Sequence, residues 1–497
     1  MTKEGRVPGR PGGDGMTRRD ALLSGAAVLA SRLTPPIAAL GGIMGSTVVS
    51  AQPAQPNIIY IVADDLGWSD TGYRGSDIKT PHLDKLAEGG ARLDQFYALP
   101  MCTPTRAAFV TGRYPLRYGL QTGVIPAAGT YGIPLDEYLL PQVLKDAGYE
   151  TALVGKWHLG HAKPEYWPRQ RGFDHFYGAL VGEIDHFKHS SHGVKDWYRN
   201  NKPLEEDGFD NSLFGDEAVR TIERRDKGKP LFMYLAFTAP HTPFQAPQDY
   251  LDRFKHIEDE NRRTYAAMIS VMDDGIGRVV AALDENGMRE NTIIVFHSDN
   301  GGVRSSLFAG DSKVGGSLPA NNGVYRDGKG TLYEGGTRVG AIANWPGKIR
   351  PGTVDALIHV VDMLPTLAAL AGASTAKAKA LDGVDVWPAI SEGKASGREE
   401  VIYNVDPLAG AIRRGDWKLV WKASLPQKLE LFNLANDPSE TKNLAEQHPD
   451  NVRELQGRIT ELASEMAPPQ LIMEAVRLTF YVPPVTPDPS VLFGLGD

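Results

Sequence analysis

Two oxygen-rich pairs and a set of cations give this sequence the residue types that metal-assisted group transfer needs. Asp64 and Asp65 are adjacent, and Asp299 and Asn300 form a second pair. All are hard oxygen ligands suited to Ca²⁺, with Mg²⁺ as the alternative; a transition metal would call for a tight His or Cys cluster, which these positions do not offer. Lys156 and His158 stand two apart, so an extended backbone projects both to one side. His241 ends an apolar run, Arg106 lies four residues past Cys102, and Lys329 sits in the glycine-rich DGKGTLYEGG, where backbone can approach a ligand closely. Several cations beside a divalent ion make a pocket for a tetrahedral oxyanion, as sulfuryl or phosphoryl transfer requires. Cys102 is the only cysteine in 497 residues, so no internal disulfide can form. A small buried hydrophobe is the ordinary reading of such a residue. The polar neighbours Thr103, Thr105 and Arg106 weigh against it.

The elements that must position these groups follow from hydrophobic patterning. Asn57–Ala63 is a continuous apolar run, as in a strand buried on both faces, and it stops at Asp64 and Asp65. TALVG precedes Lys156, PLFMYLAFTAPH ends at His241, and NTIIVFHSDNGG ends in Asp299 and Asn300. In open α/β sheets ligands bind beyond the carboxyl ends of the strands. Four coincidences of this kind place the side chains in one crevice. Between the strands, TPHLDKLAEGG reads as a helix with Thr80 at its cap, a helix starts at Pro104 after Cys102, and RRTYAAMISVMDDGIGRVVAALDENGM is a long amphipathic helix. The alternation predicts an α/β fold whose large, mostly parallel central sheet is flanked by helices.

Composition shifts near residue 395. Short strand patterns then lead to the helix NVRELQGRITELASEM, a smaller antiparallel sheet plus helix. The chain thus divides into an export signal (1–51), a catalytic domain (52–395), an α+β subdomain (396–470) and a Pro-rich tail (471–497). In the signal, Arg18 and Arg19 directly precede an apolar run, and Val49 and Ala51 allow cleavage after Ala51. This resembles a twin-arginine signal, so the expected location is periplasmic or secreted, with the twin-arginine machinery as a partner. The net charge of -8 argues against nucleic acid as a partner.

Cys102-Thr-Pro-Thr-Arg106 with TGRYPLRYG resembles the signature of the type I sulfatases, and IVADDLGW, VGKWHLG, HSDNGG and GKGTLYEGG resemble further motifs of that family, in its order. TPHLDKLAEGG, LPQVLKDAGYETALVGKWHLG and LDGVDVW are most similar to its arylsulfatase B (N-acetylgalactosamine-4-sulfatase) branch. The resemblance implies that Cys102 is oxidised to Cα-formylglycine by a formylglycine-generating enzyme, and that its hydrate is the nucleophile. It also implies that Asp64, Asp65, Asp299, Asn300 and the modified Cys102 hold the metal. Arg106, Lys156, His158, His241 and Lys329 match the catalytic groups: Arg106 and Lys156 hold the nucleophile, His241 or Lys329 protonates the leaving alcohol, and His158 is the base. One departure stands out: the common signature has serine where this chain has Thr105.

The function so implied is hydrolysis of aryl or carbohydrate sulfate esters, with N-acetylgalactosamine-4-sulfate units as the named candidate. A phosphodiesterase or phosphonate monoester hydrolase of the same superfamily, and a catalytically silent sulfated-glycan-binding protein, are the alternatives. Two loops, residues 182–201 and 305–327, are the candidates for reading the substrate. The sequence does not reveal the oligomeric state.

Overall fold

A computed structural model describes residues 55–310 and 312–480. The export segment (1–51) and everything after residue 480 lie outside the described residues. The main sheet has ten strands: Asn57–Ala63 (β1), Ala91–Leu93 (β2), Glu150–Gly155 (β3), His175–Gly178 (β4), Tyr198–Arg199 (β5), Lys202–Pro203 (β6), Leu231–Ala236 (β7), Thr292–Ser298 (β8), Ala341–Asn344 (β9) and Gly352–Val354 (β10). Their spatial order is β10-β2-β9-β8-β1-β7-β3-β4-β5-β6. The central strands β8, β1, β7, β3 and β4 run parallel. Antiparallel pairings flank them, β9 on one side and β5 and β6 on the other. The mostly parallel reading therefore describes the middle of a mixed sheet. The antiparallel edge elements β5 and β6 are two residues each, too short to leave a period-two signal.

Strand faces alternate between two cores, as the pleat requires. Ile58, Tyr60 and Val62 point to one side, where Tyr60 stacks on Phe109 at 3.9 Å between ring centroids. Ile59, Ile61, Met233 and Leu235 point to the other. Six helices matter below: Pro81–Glu88 (α1), Cys102–Thr111 (α2), Asp210–Arg224 (α3), Glu260–Glu285 (α4), Pro449–Ser464 (α5) and Gln470–Phe480 (α6). Helix α2 covers the Tyr60 face; α1, α3 and α4 cover the other. Register is what builds the crevice. Ala63 pairs with Ser298, Val62 with Ala236, and Ala236 with Gly155, so β8, β1, β7 and β3 end at nearly one level.

The second sheet is Glu400–Val405 (β11), Ala409–Arg414 (β12), Trp417–Lys422 (β13) and Lys428–Asn433 (β14), antiparallel and in chain order. It does not stand apart. Ile402, Ile412, Leu419 and Leu431 share one core with Phe109 and Tyr234, and α5 closes it with Leu455, Ile459 and Leu462. The sequence predicts a Pro-rich tail from residue 471, but 470–480 form α6. Pro468 and Pro469 precede that stretch and the next prolines come only at Pro483 and Pro484, so nothing breaks it. Leu471 packs against the core, and the Gln470 N–H donates to the Gly119 carbonyl.

A buried charge cluster ties the two sheets together. Lys418, on β13, places Nζ 3.0 Å from Glu334 and 2.8 Å from Glu440, with all three side chains inaccessible to solvent or nearly so. Glu334 also accepts hydrogen bonds from Tyr97 at 2.8 Å and Tyr403 at 2.7 Å. Burial would raise the Glu334 carboxyl, but Lys418 and Arg338 outweigh it and hold it low; burial pushes Glu440 up. Removing one member of such a cluster strands the others in low dielectric. Lys418→Met is expected to cost about 3–5 kcal/mol in chemical denaturation; a loss below about 1 kcal/mol would show that the pairing does not hold the sheets.

Candidate active site

Each strand end delivers the residues the sequence pointed to. Asp64 and Asp65 follow β1, Asp299 and Asn300 follow β8, Lys156 follows β3, and His241 lies five residues past β7. Gly155 closes β3 with φ +115, and a Cβ there would fall 1.9 Å from the Ala236 carbonyl oxygen. Only glycine lets β3 turn at this level and send Lys156 into the site. Asp65 (φ 67) and His158 (φ 57) are held in the left-handed region, conformations that persist where surroundings impose them. Cys102 is the first residue of α2, which starts two residues before the expected Pro104. Its Sγ therefore sits at the positive end of the helix.

All ten predicted site residues meet in one buried cluster. Lys156 Nζ is 2.6 Å from Asp64 Oδ2, and Cys102 Sγ is 3.5 Å from Asp64 Oδ1. Arg106 donates to Asp299 Oδ2 through Nη2 (2.8 Å) and Nε (3.1 Å), and its Nη2 lies 3.6 Å from Asp64. Lys329 Nζ donates to Asp65 Oδ2 at 2.8 Å and lies 3.1 Å from His241 Nε2. His158 Nε2 lies 3.0 Å from the Ile125 carbonyl, and its Nδ1 is buried with no partner among the described residues.

Burial sets the electrostatics, and neighbouring charges then decide each sign. It would raise the Asp64 carboxyl, but Lys156, His241 and Arg106 hold it at about 2. Burial, with Asp299, pushes the Cys102 thiol well above its ordinary range. Burial and the charges of Lys156 and Arg106 push His158 well below the usual imidazole range, so it is neutral near pH 7. Burial opposes the charge on Lys329, but Asp65 and the neighbouring acids raise its pKa.

Above the cluster lies a cavity of about 190 Å³ with Cys102, His158, His241 and Lys329 in its walls. Both loops singled out in the sequence reach it, through Gly182 and Glu183 from one and Leu307, Phe308 and Gly310 from the other. A third wall, Val124–Ala127, was not anticipated: it is an apolar stretch outside regular structure, with no sequence signal. Also missed was a support behind His241. His186 Nε2 lies 3.1 Å from the His241 carbonyl while its Nδ1 pairs with Asp210 at 2.8 Å. Thr238 donates to the same Asp210 at 2.6 Å. A single His inside a loop gives no pattern to read.

A family model described as Sulfatase matches residues 56–373, and one described as N-sulphoglucosamine sulphohydrolase, C-terminal, matches residues 323–466. The chain belongs to the sulfatase family. Arylsulfatase J of Mus musculus is 39% identical over 396 residues, covering 77% of this chain and 64% of that protein. N-acetylgalactosamine-6-sulfatase of Homo sapiens is 35% identical over 384 residues, covering 73% and 71%. Among solved structures, that of Ps i-CgsB in complex with k-i-k-neocarrahexaose matches with a TM-score of 0.77 at 33% identity, covering 86% of this chain and 97% of that one.

Two features of this member of the sulfatase family bear on the expected cofactors. A hard divalent cation fits the donor set: Asn300 Oδ1 is buried without a hydrogen-bond partner among the described residues, while its Nδ2 donates to Asp65 at 2.7 Å. Ligand atoms of Asp64, Asp65, Cys102 and His241 lie within 4.8 Å of one another. Asp299 is more engaged than the sequence suggested, its Oδ2 with Arg106 and its Oδ1 accepting the Asp65 N–H at 3.2 Å. Thr105, the departure from the signature, uses its hydroxyl on the fold: it accepts from the Leu99 N–H at 2.9 Å and lies 3.1 Å from the Leu99 carbonyl.

Added Ca²⁺ or Mg²⁺ is expected to raise the thermal unfolding midpoint, by the equivalent of about 2.7 kcal/mol at a hundredfold excess over Kd. Asn300→Ala should weaken that shift, and no shift with either ion would rule out the cation site. Thr105→Ser should stay within about 0.5 kcal/mol of the parent, whereas Thr105→Val, which strands both Leu99 groups, should lose about 1–3 kcal/mol. Equal stability of the two variants would show the hydroxyl to be dispensable.

Proposed function

We propose that this protein is a sulfuric ester hydrolase that releases inorganic sulfate from carbohydrate sulfate esters, with aryl sulfates as surrogates. The observation that carries the reading is Cys102 at the buried N-terminus of α2, facing carboxylates and cations at the floor of the cavity. A thiol held protonated by its burial is a poor nucleophile, which favours Cys102 as the precursor of Cα-formylglycine, whose hydrate supplies an oxygen nucleophile. Asp64, Asp65, Asp299 and Asn300 would hold a divalent cation, Ca²⁺ or Mg²⁺, which would supply Lewis acidity toward the sulfuryl group.

The chain's own protons point to a division of labour. His158 Nε2 faces a carbonyl, which only accepts, so Nε2 carries the hydrogen and Nδ1 the free lone pair. A neutral imidazole with an unused lone pair is equipped to take a proton. His241 Nδ1 faces the Thr242 carbonyl at 2.7 Å, so its Nε2 accepts from Lys329. In this state Lys329 holds the proton for the leaving alcohol and His241 orients it, which favours Lys329 between the two candidates. Arg106 and Lys156 fix the carboxylates around the nucleophile.

The name of N-acetylgalactosamine-6-sulfatase supports a sulfated-sugar substrate, with sulfate at position 4 or 6 of the galactosamine to be told apart, and that of arylsulfatase J supports aryl sulfates as surrogates. Sulfate release from p-nitrophenyl sulfate and from N-acetylgalactosamine 4- and 6-sulfates, compared with cleavage of an aryl phosphodiester, tests the class. Faster cleavage of the phosphodiester would overturn it. Lys329→Met should lower kcat about 10²–10⁴-fold. The tryptic peptide Leu93–Arg106 should be lighter than its thiol form by mass spectrometry; a full cysteine mass in an active preparation would sink the formylglycine reading, and with it the formylglycine-generating enzyme as partner. We also propose export by the twin-arginine route on Arg18 and Arg19. Cell fractionation tests it: a double variant carrying Arg18→Lys and Arg19→Lys should stay inside the cell, and its undiminished export would overturn the route.

A further inference from the structure

Two larger hollows adjoin the catalytic cavity. One, of about 560 Å³, shares Pro126, Ala127 and Val181 with it and has Trp167 and Tyr198 in its wall. The other, of about 410 Å³, shares Glu183 with it and is lined by Asp185, Lys188 and Gln245. Ser191 borders all three. It belongs to a hairpin, Ser190–Ser191 paired with Val194–Lys195, that forms the rim between the hollows. The three spaces thus adjoin one another as a branched groove around the hairpin, with the nucleophile in the wall of its smallest part.

The central cavity is small. Pockets that enclose drug-sized ligands run to roughly 300–1,000 Å³, so about 190 Å³ suits the sulfated end of one ring and little more. The flanks therefore extend what a substrate can touch. Their chemistry is selective. Trp167 and Tyr198 meet edge to face at 5.1 Å, with Trp167 Nε1 tied to the His161 carbonyl at 2.8 Å, so the aromatic wall is fixed before anything binds. Val194 on the hairpin is 64% exposed and Leu307 at the cavity mouth 79%. Val194 lines the first hollow and Leu307 the central cavity, so both side chains are available to a bound molecule. The C–H faces of pyranose rings suit this wall, and the ring hydroxyls suit Lys188 and Gln245 on the other flank.

We infer that the groove binds a chain of sugars through both flanks, so that the preferred substrate is an oligosaccharide whose sulfated ring is internal rather than a free or terminal monosaccharide. This rests on the sulfatase reading above. It adds a substrate class, with specificity residues Trp167, Tyr198 and Val194 that touch neighbouring sugars and take no part in the chemistry.

The test compares kcat/KM for sulfate release by the full-length protein from chondroitin sulfate and carrageenan tetrasaccharides with that from their constituent monosaccharide sulfates. For at least one series the tetrasaccharide should win by about tenfold or more, ~1.4 kcal/mol of added contact. Trp167→Ala should bring that ratio toward one, and at the exposed hairpin Val194→Asp should do so with the thermal midpoint of the protein preserved. Sulfate released from every substrate with ratios near one would overturn the groove and leave the sulfatase reading standing. Sulfate released from none would overturn the sulfatase reading; calorimetric titration with the desulfated tetrasaccharides then decides the groove alone, heat of binding lost in Val194→Asp supporting it and no binding overturning it.

Discussion

The site rests on balanced charge in a place closed to water. Asp64, Asp65 and Asp299 bring negative charge to the ends of neighbouring strands, and Arg106, Lys156 and Lys329 meet it from three other segments. Neither sign is tolerable there alone, since an unpaired buried ion costs several kcal/mol even after relaxation. This condition explains local features that otherwise look arbitrary. The strands must end level, β3 must turn at Gly155, and Asp65 must adopt a left-handed backbone, because each brings one charge to the cluster. The same balance suits a divalent cation and a sulfate ester, because both carry charge into a region whose fixed ions are already oriented.

Around that fixed floor the walls are of a different kind. Helix α2 is rigid and wholly buried, and it presents Cys102 while Arg106, one turn on, reaches Asp299. Most of the remaining wall comes from short connecting segments, Val124–Ala127, Val181–Glu183 and Leu307, Phe308 and Gly310, with Ser191 of a small hairpin beside them. These segments are tied down beside the site, the Thr242 hydroxyl donating to the Ala309 carbonyl, the Ile125 N–H to the Thr103 hydroxyl, and the Ile125 carbonyl facing His158.

Much of this is legible in the sequence, for a physical reason. Strands buried on both faces are continuous apolar runs, so their ends are sharp, and the polar residues just past them are the ones the sheet gathers. That is why Asp64, Asp65, Lys156, His241, Asp299 and Asn300 stand out without the fold. What stays hidden depends on long-range packing. His186 and Asp210 act through a carbonyl, Val124–Ala127 contributes shape and the Ile125 carbonyl that faces His158, and Lys418 reads as one more charge on an alternating strand although it is inaccessible to solvent. The helix α6 is obscured by the prolines on either side of it.

The cluster of Glu334, Lys418 and Glu440 carries a further meaning for the chain as an object of change. Glu334 lies five residues after Lys329, in the segment that delivers that lysine to the site, while Lys418 belongs to the second sheet. A cut near residue 395, where composition shifts, would part Glu334 from Lys418 and Tyr403 and leave Lys418 with Glu440 alone in the second fragment. The two pieces are therefore not interchangeable cassettes. Recombination at that boundary succeeds only when both partners carry matching parts of the same charge cluster, so the smaller sheet is inherited together with the chemistry it never touches.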